Sequence, residues 1–380
     1  MLVSQTQGLT TDALVDEALA LGECLGRPLR YVQLNSFYNG STGTIMRNLH
    51  HELTERGVDS YIFWGRRHNT ISDHEQCCAS KAGYLSHGAM TRLHDRMGFY
   101  SKRDTAKLLK RLDDIDPDVV HLHNIHGYYV NIEMLFSWLA SHRCQVKWTL
   151  HDCWAFTGHC AYSKCCPQLD TYPITISKTN CARNYEDKKR IFTSVPPERM
   201  TLITPSQWLA DLVGESFLKD YPVEVRHNVI DTDVFKPTPS DFRERYGIGD
   251  RFMVLGVASP WTKRKGLPDF VRLAEKLDSD KFVVALVGLS DRQLKALPRG
   301  VFGLKRTNSP QELAGIYTTA DVFFNPTVED NYPTVNLEAE ACGTPVITYD
   351  TGGCRETLHR ADSSFVAGFD QALSMIEKGF

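Results

Sequence analysis

Short apolar runs alternate along the chain with longer segments in which apolar residues recur at helical spacing. The runs are rich in β-branched and aromatic residues and are bounded by turn residues, a pattern typical of βα units around parallel sheets. The predicted strands of the first half are Leu29–Leu34, Ser60–Trp64, Val119–His123, Val146–Leu150 and Thr201–Thr204. Those of the second half are Phe252–Val257, Phe282–Val287, Val322–Asn325 and Pro345–Tyr349.

The series of strands restarts after a break near Val225–Pro237, so the pattern predicts an α/β protein of two doubly wound parallel-sheet domains with a cleft between them. The predicted division is an extension over 1–28, a first domain over 29–227, a linker over 228–237, a second domain over 238–368 and a C-terminal helix over 369–380. A length of 380 residues agrees with two domains, because single hydrophobic cores stop growing below this size. Ligands of open α/β sheets bind beyond the carboxyl ends of the strands, which is where candidate chemistry is expected.

Charge and hydropathy narrow the classes of function. The chain has 43 Lys and Arg against 46 Asp and Glu, a net charge of −3, so it lacks a general basic field and nucleic acid is not an expected partner. No apolar run approaches the roughly 20 residues that cross a bilayer, and residues 1–28 lack the pattern of a signal peptide. The sequence therefore predicts a cytoplasmic protein.

A glycine-containing turn, Gly40-Ser41-Thr42-Gly43, directly follows the first predicted strand and precedes a helical run. Glycines at such a turn let backbone N–H groups approach a phosphate, and the helix N-terminus favours negative charge. The alternative is a tight βα turn that binds nothing. The chain has neither GxGxxG nor a P-loop pattern here, which argues against ordinary NAD enzymes and P-loop NTPases.

The second half begins in a similar way, with Ser259 at the end of a strand segment and Lys263, Arg264 and Lys265 just before a helix. Adjacent cations at the carboxyl end of a strand suit a polyanion such as a diphosphate, because Arg offers a bidentate fork and Lys a point charge. A solvated loop is the alternative interpretation.

The strongest local signal is the segment Glu329–Ala339. Pro333 fits the first position of a helix, and Gly343 fits its C-terminal cap. Asp330 then precedes the helix and Glu338 lies inside it, so a phosphate could bind the free N–H groups of the first turn while the carboxylates hold sugar hydroxyls. Plain helix-capping acids are the alternative.

These residues carry a family resemblance. The motifs are Asp330-x7-Glu338, Ala339-x-Ala341-x-Gly343-x-Pro345-Val346, Glu312-Leu313-x3-Tyr317-x2-Ala320-Asp321 and Gly352-Gly353-x2-Glu356. Together they resemble GT-B glycosyltransferases of the large retaining family 4, over nearly the whole chain from about Arg30 to Leu358. The likeness implies two Rossmann-like domains, a nucleotide-sugar donor as substrate, and neither cofactor nor metal.

The resemblance also implies residue roles. Glu338 is expected to bind the ribose, Asp330 the donor sugar, and Arg264 with Lys265 the diphosphate, while Gly40–Gly43 closes over the donor from the other domain. Further donor-binding candidates are Ser259, Lys263, Asn331, Tyr332, Pro333 and Thr334. The first acid of the pair is Asp330 where the family has Glu, and Glu329 stands beside it as the competing carboxylate.

A histidine after a strand of the first domain lies beside the donor sugar in related enzymes, and His151, followed by Asp152, matches that position. The competing histidines are His121, His123 and His126. The segment from His151 to Leu169 is similar to bacterial members that build surface polysaccharides and is expected on the acceptor side. The acceptor-side candidates are His123, His126, Asp152 and Trp154.

Five of the eleven cysteines lie between Cys153 and Cys181. In a reducing compartment they are expected as free thiols, and no metal site is predicted. The alternative is a zinc site formed by Cys160, Cys165, Cys166 and Cys181 with His159, although the spacing lacks a CxxC pair.

A basic amphipathic helix is predicted over Lys102–Leu112. A core-facing helix with a solvated basic face explains it, and the alternative is peripheral contact with the anionic inner face of a membrane, where a lipid-linked acceptor would reside.

The predicted function is a retaining glycosyltransferase that moves a sugar from a UDP- or GDP-sugar to a saccharide or lipid-linked saccharide in surface polysaccharide synthesis. The alternatives are a nucleotide-sugar epimerase or phosphorylase of the same architecture, a non-catalytic sugar-nucleotide-binding subunit, and a zinc-dependent interaction protein.

Overall fold

The computed structural model describes residues 9–66, 68–163 and 180–379. The chain divides into two compact units, one ending at His227 and the other beginning at Asn228, where the predicted linker starts. Each unit has its own parallel sheet with helices around it, so the predicted α/β class with two parallel sheets is confirmed.

The first unit contains a seven-stranded sheet. Its helices are α1 Leu9–Leu25, α2 Ser41–Glu55, α3 Lys81–His94, α4 Lys102–Ile115, α5 Ile132–Ser141, α6 Cys181–Phe192 and α7 Gln207–Gly214. Its strands are β1 Arg30–Phe37, β2 Asp59–Arg66, β3 Glu75–Cys77, β4 Val119–Leu122, β5 Gln145–Thr149, β6 Met200–Thr204 and β7 Val223–Val225. The strand order is β3-β2-β1-β4-β5-β6-β7, and every adjacent pair is parallel.

The second unit contains a six-stranded sheet. Its helices are α8 Phe242–Arg245, α9 Leu267–Lys276, α10 Asp291–Lys295, α11 Pro310–Thr319, α12 Thr334–Ala341 and α13 Phe369–Glu377. Its strands are β8 Phe252–Val257, β9 Phe282–Val287, β10 Val301–Leu304, β11 Val322–Asn325, β12 Val346–Tyr349 and β13 Ser364–Val366. The order is β10-β9-β8-β11-β12-β13, again parallel throughout.

Helix α1, in the predicted extension, packs into the first unit. Leu14, Val15 and Ala18 are buried in a cluster that includes Tyr31 of β1. Glu17 accepts hydrogen bonds at 2.7 and 2.8 Å from the ammonium group of Lys147, a β5 side chain that is otherwise buried. The described part of the extension thus covers an apolar face of the first sheet and neutralises one of its buried charges.

Each sheet reverses its strand order at one point, between β1 and β4 in the first unit and between β8 and β11 in the second. The loops after these strands diverge to opposite sides of the sheet and leave a crevice at its carboxyl edge. The predicted site residues of each unit follow these strands or their neighbours.

Candidate active site

In the second unit, the loops that follow β8 and β11 are fastened to each other. The backbone N–H of Val328 donates to the carbonyl of Arg264 at 2.8 Å, and the Thr327 hydroxyl donates to the same oxygen at 3.3 Å. Gly266 has φ 76°, and a Cβ there would lie 2.4 Å from the carbonyl oxygen of Pro326. Only glycine fits this close approach, which fixes the cations of one loop against the acids of the other.

Asp330 forms the centre of an ion cluster between the two loops. Lys265 donates from Nζ to Oδ2 of Asp330 at 2.5 Å, and Nη1 of Arg264 lies 3.5 Å from the same oxygen. Burial alone would raise the pKa of Asp330, but the charges of Lys265 and Arg264 outweigh it and hold that pKa below its ordinary value. Two cations and one carboxylate therefore meet between the two loops.

The carboxylate beside the cations is that of Asp330. Glu329 is buried, with 1% of its surface exposed, and its carbonyl oxygen accepts a 2.6 Å hydrogen bond from Nη1 of Arg264. Glu329 thus holds Arg264 through its backbone. Lys263 is exposed, and among the described residues it forms no ion pair with a carboxylate.

Glu338, on α12, is held by a neighbouring helix. The hydroxyl of Tyr317 on α11 donates to Oε2 of Glu338 at 3.0 Å. Burial raises the pKa of Glu338 above its ordinary value, although the hydrogen bonds from Tyr317 and Thr334 act in the opposite direction. Tyr317 occupies one oxygen of this carboxyl group, and burial disfavours its negative charge. Hydrogen bonds donated by ligand hydroxyl groups stabilise such a charge, so Glu338 is suited to accept them.

Helix α12 begins one residue later than predicted, at Thr334, with Pro333 at the N-cap. The N-cap residue makes no side-chain cap hydrogen bond, and the N–H of Asn336 donates to the carbonyl of Pro333 at 3.1 Å. The positive end of the helix dipole at this terminus favours an anion. Gly343, with φ 90°, follows the C-cap as predicted. Asn331 is half-buried and Tyr332 buried before the helix, whereas Ser259 is exposed after β8.

A buried polar chain that the sequence analysis missed supports α12. The side chain of Asn325, at the end of β11, donates to Asn336 at 2.9 Å, and Asn336 donates to Thr357 at 2.8 Å. An asparagine within an apolar helical segment was the available signal, since buried amides require partners. This chain fixes the helix against the end of the strand.

In the first unit, the glycine turn after β1 serves the packing of α2. A Cβ on Gly43 would lie 2.3 Å from the carbonyl oxygen of Tyr38, and Gly40 has φ 92°. Ser41 is the exposed first residue of α2, and Thr42 pairs with Asn35 at 3.2 Å. The turn explains both glycines, and contact with a phosphate stays a prediction.

Three histidines lie in a row at the carboxyl ends of β4 and β5. The rings of His121 and His123 stack at 4.3 Å, and Nδ1 of His123 lies 3.1 Å from Nε2 of His151. Burial lowers the pKa of His151 to about 4 and holds the pKa of His123 well below its usual range. These imidazoles are therefore neutral at pH 7.

A second pair lies beside this row. Nε2 of His126 is 3.0 Å from Oδ2 of Asp152, whose other oxygen accepts the backbone N–H of Trp154 at 2.9 Å. Burial would raise the pKa of Asp152, but His126 and the backbone hydrogen bond hold it below its ordinary value. Together with His123 and His151, these residues line a small cavity, so the fold brings all the predicted acceptor-side candidates together.

Lys188, which the sequence analysis missed, supports the Trp154 turn from α6. Its ammonium group donates to the carbonyls of Trp154 at 2.7 Å and Thr157 at 3.0 Å, and lies 3.6 Å from the indole ring centre. Lys188 is followed by Lys189 and Arg190, so nothing in the sequence indicates that its charge is buried.

The expectation of free thiols is wrong for Cys160, which is disulfide-bonded. Cys153 and Cys181 are free thiols, while Cys165 and Cys166 of the alternative zinc site lie outside the described residues. Within 9–66, 68–163 and 180–379, no group of three metal-binding side chains is found.

Helix α4 forms as the predicted amphipathic helix. Lys102, Arg103, Lys107 and Lys110 are exposed, and Leu108 and Leu112 are buried. Among the described helices, none has the length and apolar character needed to span a bilayer.

Family models match both units of this chain. The model described as Glycosyltransferase Family 4 matches residues 42–234, and the model described as Glycosyl transferases group 1 matches residues 251–378. The chain belongs to glycosyltransferase family 4.

Several relatives and solved structures are similar to this chain. The chain is 21% identical to the putative colanic acid biosynthesis glycosyl transferase WcaC of Escherichia coli K12, over 89% of this chain and 87% of that protein. It is 26% identical to D-inositol 3-phosphate glycosyltransferase of Corynebacterium jeikeium, over 60% of this chain and 56% of that one.

Sucrose-phosphate synthase from Thermosynechococcus elongatus aligns with TM-score 0.69 at 16% identity, over 92% and 89% of the two chains. HepE from Anabaena in complex with UDP-glucose aligns with TM-score 0.58 at 13% identity over the same shares. The predicted GT-B fold is confirmed.

Proposed function

We propose that this family 4 enzyme transfers a sugar from a nucleotide diphosphate sugar to a saccharide or lipid-linked saccharide acceptor, with retention of anomeric configuration, in surface polysaccharide synthesis. The observation that carries the proposal is the cluster of Lys265, Arg264 and Asp330 at the crevice of the second sheet. The name of WcaC, which refers to colanic acid biosynthesis, and the UDP-glucose complex of HepE support the substrate classes.

The donor is bound by the second unit in this proposal. As the bond between sugar and diphosphate breaks, negative charge develops on the leaving phosphate, and Arg264, Lys265 and the N-terminus of α12 stabilise it. Glu338, held by Tyr317, accepts hydrogen bonds from the ribose hydroxyls. Asp330 keeps Lys265 in position and accepts from a hydroxyl of the donor sugar.

The first unit supplies uncharged bases beside the acceptor. In this scheme Nε2 of His123 donates to Oε1 of Gln33, 3.1 Å away, and Nδ1 of His123 accepts from Nε2 of His151. Nδ1 of His151 is then an acceptor. A neutral His151 contributes no positive charge that would repel an oxocarbenium-like sugar.

Retention is consistent with a front-face route. The leaving phosphate takes the proton of the acceptor hydroxyl as that oxygen attacks the same face of the sugar, and the cations hold the phosphate there. The pair of His126 and Asp152 orients the acceptor hydroxyl in this scheme.

The test is a two-step measurement on the full chain. Thermal unfolding with UDP, GDP and ADP identifies the base, because a ligand at 100 times its dissociation constant adds about 2.7 kcal/mol of stability. The matching nucleotide sugars are then incubated with and without saccharide and lipid-linked acceptors, and the anomeric configuration of the product is determined by NMR. We expect product only with an acceptor. Epimerised donor without an acceptor, or nucleotide binding without turnover on any acceptor, would contradict the proposal.

A further inference from the structure

The carboxylate of Asp330 lies on the same side chains that the proposed donor site offers to a diphosphate. Lys265 donates from Nζ to Oδ2 of Asp330 at 2.5 Å, and Nη1 of Arg264 lies 3.5 Å from the same oxygen. Burial would raise the pKa of Asp330, but the charges of Lys265 and Arg264 hold it below its ordinary value, so the carboxylate is ionised at pH 7. A diphosphate that binds Lys265 therefore has to compete with this anion.

The backbone of Asp330 is held by a third loop, the one that follows β12. Its carbonyl oxygen accepts a hydrogen bond from the N–H of Gly353 at 2.9 Å. A Cβ on Gly352, which has φ 59°, would lie 2.0 Å from that oxygen, so only glycine fits this contact. Because the backbone is fixed in this way, Asp330 can change partners only through its side chain.

The side chain of Lys265 can turn between two anions while its backbone stays in place. The N–H of Lys265 donates to the hydroxyl of Thr262 at 3.3 Å, and Gly266 beside it lies against Pro326. The ammonium group is a compact charge at the end of a flexible four-carbon stem. The side chains of Lys265 and Asp330 are 25% and 19% exposed, so a ligand can reach both members of the pair.

The exchange has different costs for different ligands. A largely buried carboxylate that loses its cation needs other hydrogen-bond donors. The phosphate oxygens of a diphosphate accept hydrogen bonds and repel a carboxylate, so they cannot compensate Asp330. A sugar attached to the diphosphate carries hydroxyl groups that donate. The nucleotide sugar can therefore replace the partner that Asp330 loses, and the diphosphate group alone cannot.

We propose that Asp330 is a specificity determinant that competes with the diphosphate for Lys265, so that the site favours the nucleotide sugar over the free nucleoside diphosphate. Assigning the diphosphate to the donor rests on the proposed function. When the sugar is transferred, Asp330 loses its hydroxyl partner, pairs again with Lys265 and weakens the hold on the nucleoside diphosphate. The contact thereby promotes release of that product.

The binding test is a calorimetric titration of the full chain with inorganic pyrophosphate and with the nucleoside diphosphate identified by thermal unfolding. Asp330→Asn keeps the size of the side chain and removes its charge. It should bind both ligands at least about 10-fold more tightly than the wild type does, since coupling between close charge pairs commonly exceeds this factor. Asp330→Glu, which keeps the charge, should stay close to the wild type. The matched control is Asp280→Asn, which removes an exposed carboxylate before β9, at the opposite edge of the same sheet, and should change neither affinity.

A second measurement shows whether the effect passes through Lys265. In a Lys265→Met background the gain from Asp330→Asn should be several-fold smaller, because the carboxylate then has no ammonium group to withhold. Asp330→Ser, a smaller uncharged variant, should show the same gain as Asp330→Asn and replaces it if that protein does not fold.

A third measurement concerns the choice between substrate and product. The affinity of Asp330→Asn for the nucleotide sugar should not increase, because the lost contact with the sugar hydroxyl opposes the release of Lys265. The preference for nucleotide sugar over nucleoside diphosphate should therefore fall at least about 10-fold. In turnover, the inhibition constant of the nucleoside diphosphate should decrease by a similar factor.

An affinity for nucleoside diphosphate that is unchanged or weaker in Asp330→Asn, with unchanged circular dichroism, would overturn the proposal, because the carboxylate would then not withhold Lys265 from the phosphate. An equal gain in the Lys265→Met background would assign the effect to general charge repulsion and would also contradict it. So would the lack of detectable pyrophosphate binding by Asp330→Asn.

The outcome is separable from that of the proposed function. Pyrophosphate affinity that rises in Asp330→Asn, in a protein that binds no nucleotide, would contradict the donor site and leave the competition for Lys265 standing. Turnover of a nucleotide sugar with the same product inhibition in the wild type and in Asp330→Asn would contradict the competition alone.

Discussion

Tyr317 donates a hydrogen bond from its hydroxyl to Oε2 of Glu338 across 3.0 Å, joining α11 to α12 over 21 positions of sequence. Tyr317 is buried in the core of the second unit, and Thr344 holds its backbone by donating to its carbonyl oxygen at 2.5 Å. Burial makes the negative charge of Glu338 costly. The hydrogen bond from Tyr317 fixes one oxygen of this carboxyl group, so Glu338 is preorganised to bind hydroxyl groups of a ligand.

Glu338→Gln should weaken nucleotide binding roughly 10- to 100-fold, since a hydrogen bond to a charged acceptor contributes about 1.5 to 3 kcal/mol. Titration calorimetry with the nucleotide identified above measures the change. Glu275→Gln, which alters an exposed glutamate of α9, is the control. Unchanged nucleotide affinity in Glu338→Gln would assign the ribose contact to another residue.

The same variant should alter the pH dependence of stability. Because the folded-state pKa of Glu338 is raised, the folded protein binds the proton more tightly than the unfolded chain does. The resulting stabilisation is present below the unfolded value of 4.5 and is lost as pH rises through the folded pKa. The amide introduced by Glu338→Gln cannot lose a proton, so the Tm of this variant minus that of the wild type should increase from pH 4 to pH 7. A constant difference would contradict the raised pKa.

Replacing Arg264 by Gln and Lys265 by Met should lower kcat by orders of magnitude. Each group is placed to stabilise charge that develops in the transition state, and removing one such group commonly costs about 100- to 1,000-fold. Initial rates of nucleotide release at saturating acceptor measure the effect. Lys276→Met, at the exposed end of α9, removes one charge from the same unit and should retain the wild-type rate. A double variant with a near wild-type rate would refute the diphosphate assignment.

The residues of the proposed donor site lie in two short segments, which is why the sequence could indicate them as candidates, and their roles stay predictions. Asp330 and Glu338 belong to one local motif, and the cations follow one strand. The pairing of Lys265 with Asp330 was beyond prediction, because it arises from the adjacency of β8 and β11, whose loops are 65 positions apart.

Other features escaped prediction for different reasons. The edge strands β3, β7 and β13 have three residues each, too few to show an alternating pattern. Lys188 belongs to a basic run, and its burial depends on packing against Trp154.

If the basic face of α4 meets an anionic leaflet, the protein should sediment with vesicles of phosphatidylglycerol, and binding should fall as salt rises. Lys107 and Lys110 are exposed on this helix, so replacing both with Glu should reduce sedimentation further without disturbing the buried Leu108 and Leu112. The control is Lys276→Glu, in the second unit. Binding that does not depend on salt, or its absence, would leave α4 as a solvated helix.

The donor site should work without a divalent metal, because Arg264, Lys265 and the N-terminus of α12 supply the positive charge that a metal would otherwise provide. Two acidic pairs of the sequence, Asp113-Asp114 and Asp231-Thr232-Asp233, could be considered for a metal-dependent donor site, but each has a member with another partner. Asp113 accepts from the indole N–H of Trp138 at 2.6 Å, and Asp231 accepts from the backbone N–H of Asp233 at 2.9 Å.

Dialysis against EDTA should therefore leave both initial rate and Tm unchanged, as measured by nucleotide release and thermal unfolding of the same preparation. If activity were lost and Mg²⁺ or Mn²⁺ restored it, the side chains of Arg264 and Lys265 would not be sufficient to stabilise the diphosphate. Loss of folding that only Zn²⁺ restores would instead show a structural metal, since a zinc site stabilises only the folded state in which its ligands converge. Because one result changes the rate at constant Tm and the other changes Tm itself, the two measurements separate a catalytic metal from a structural one.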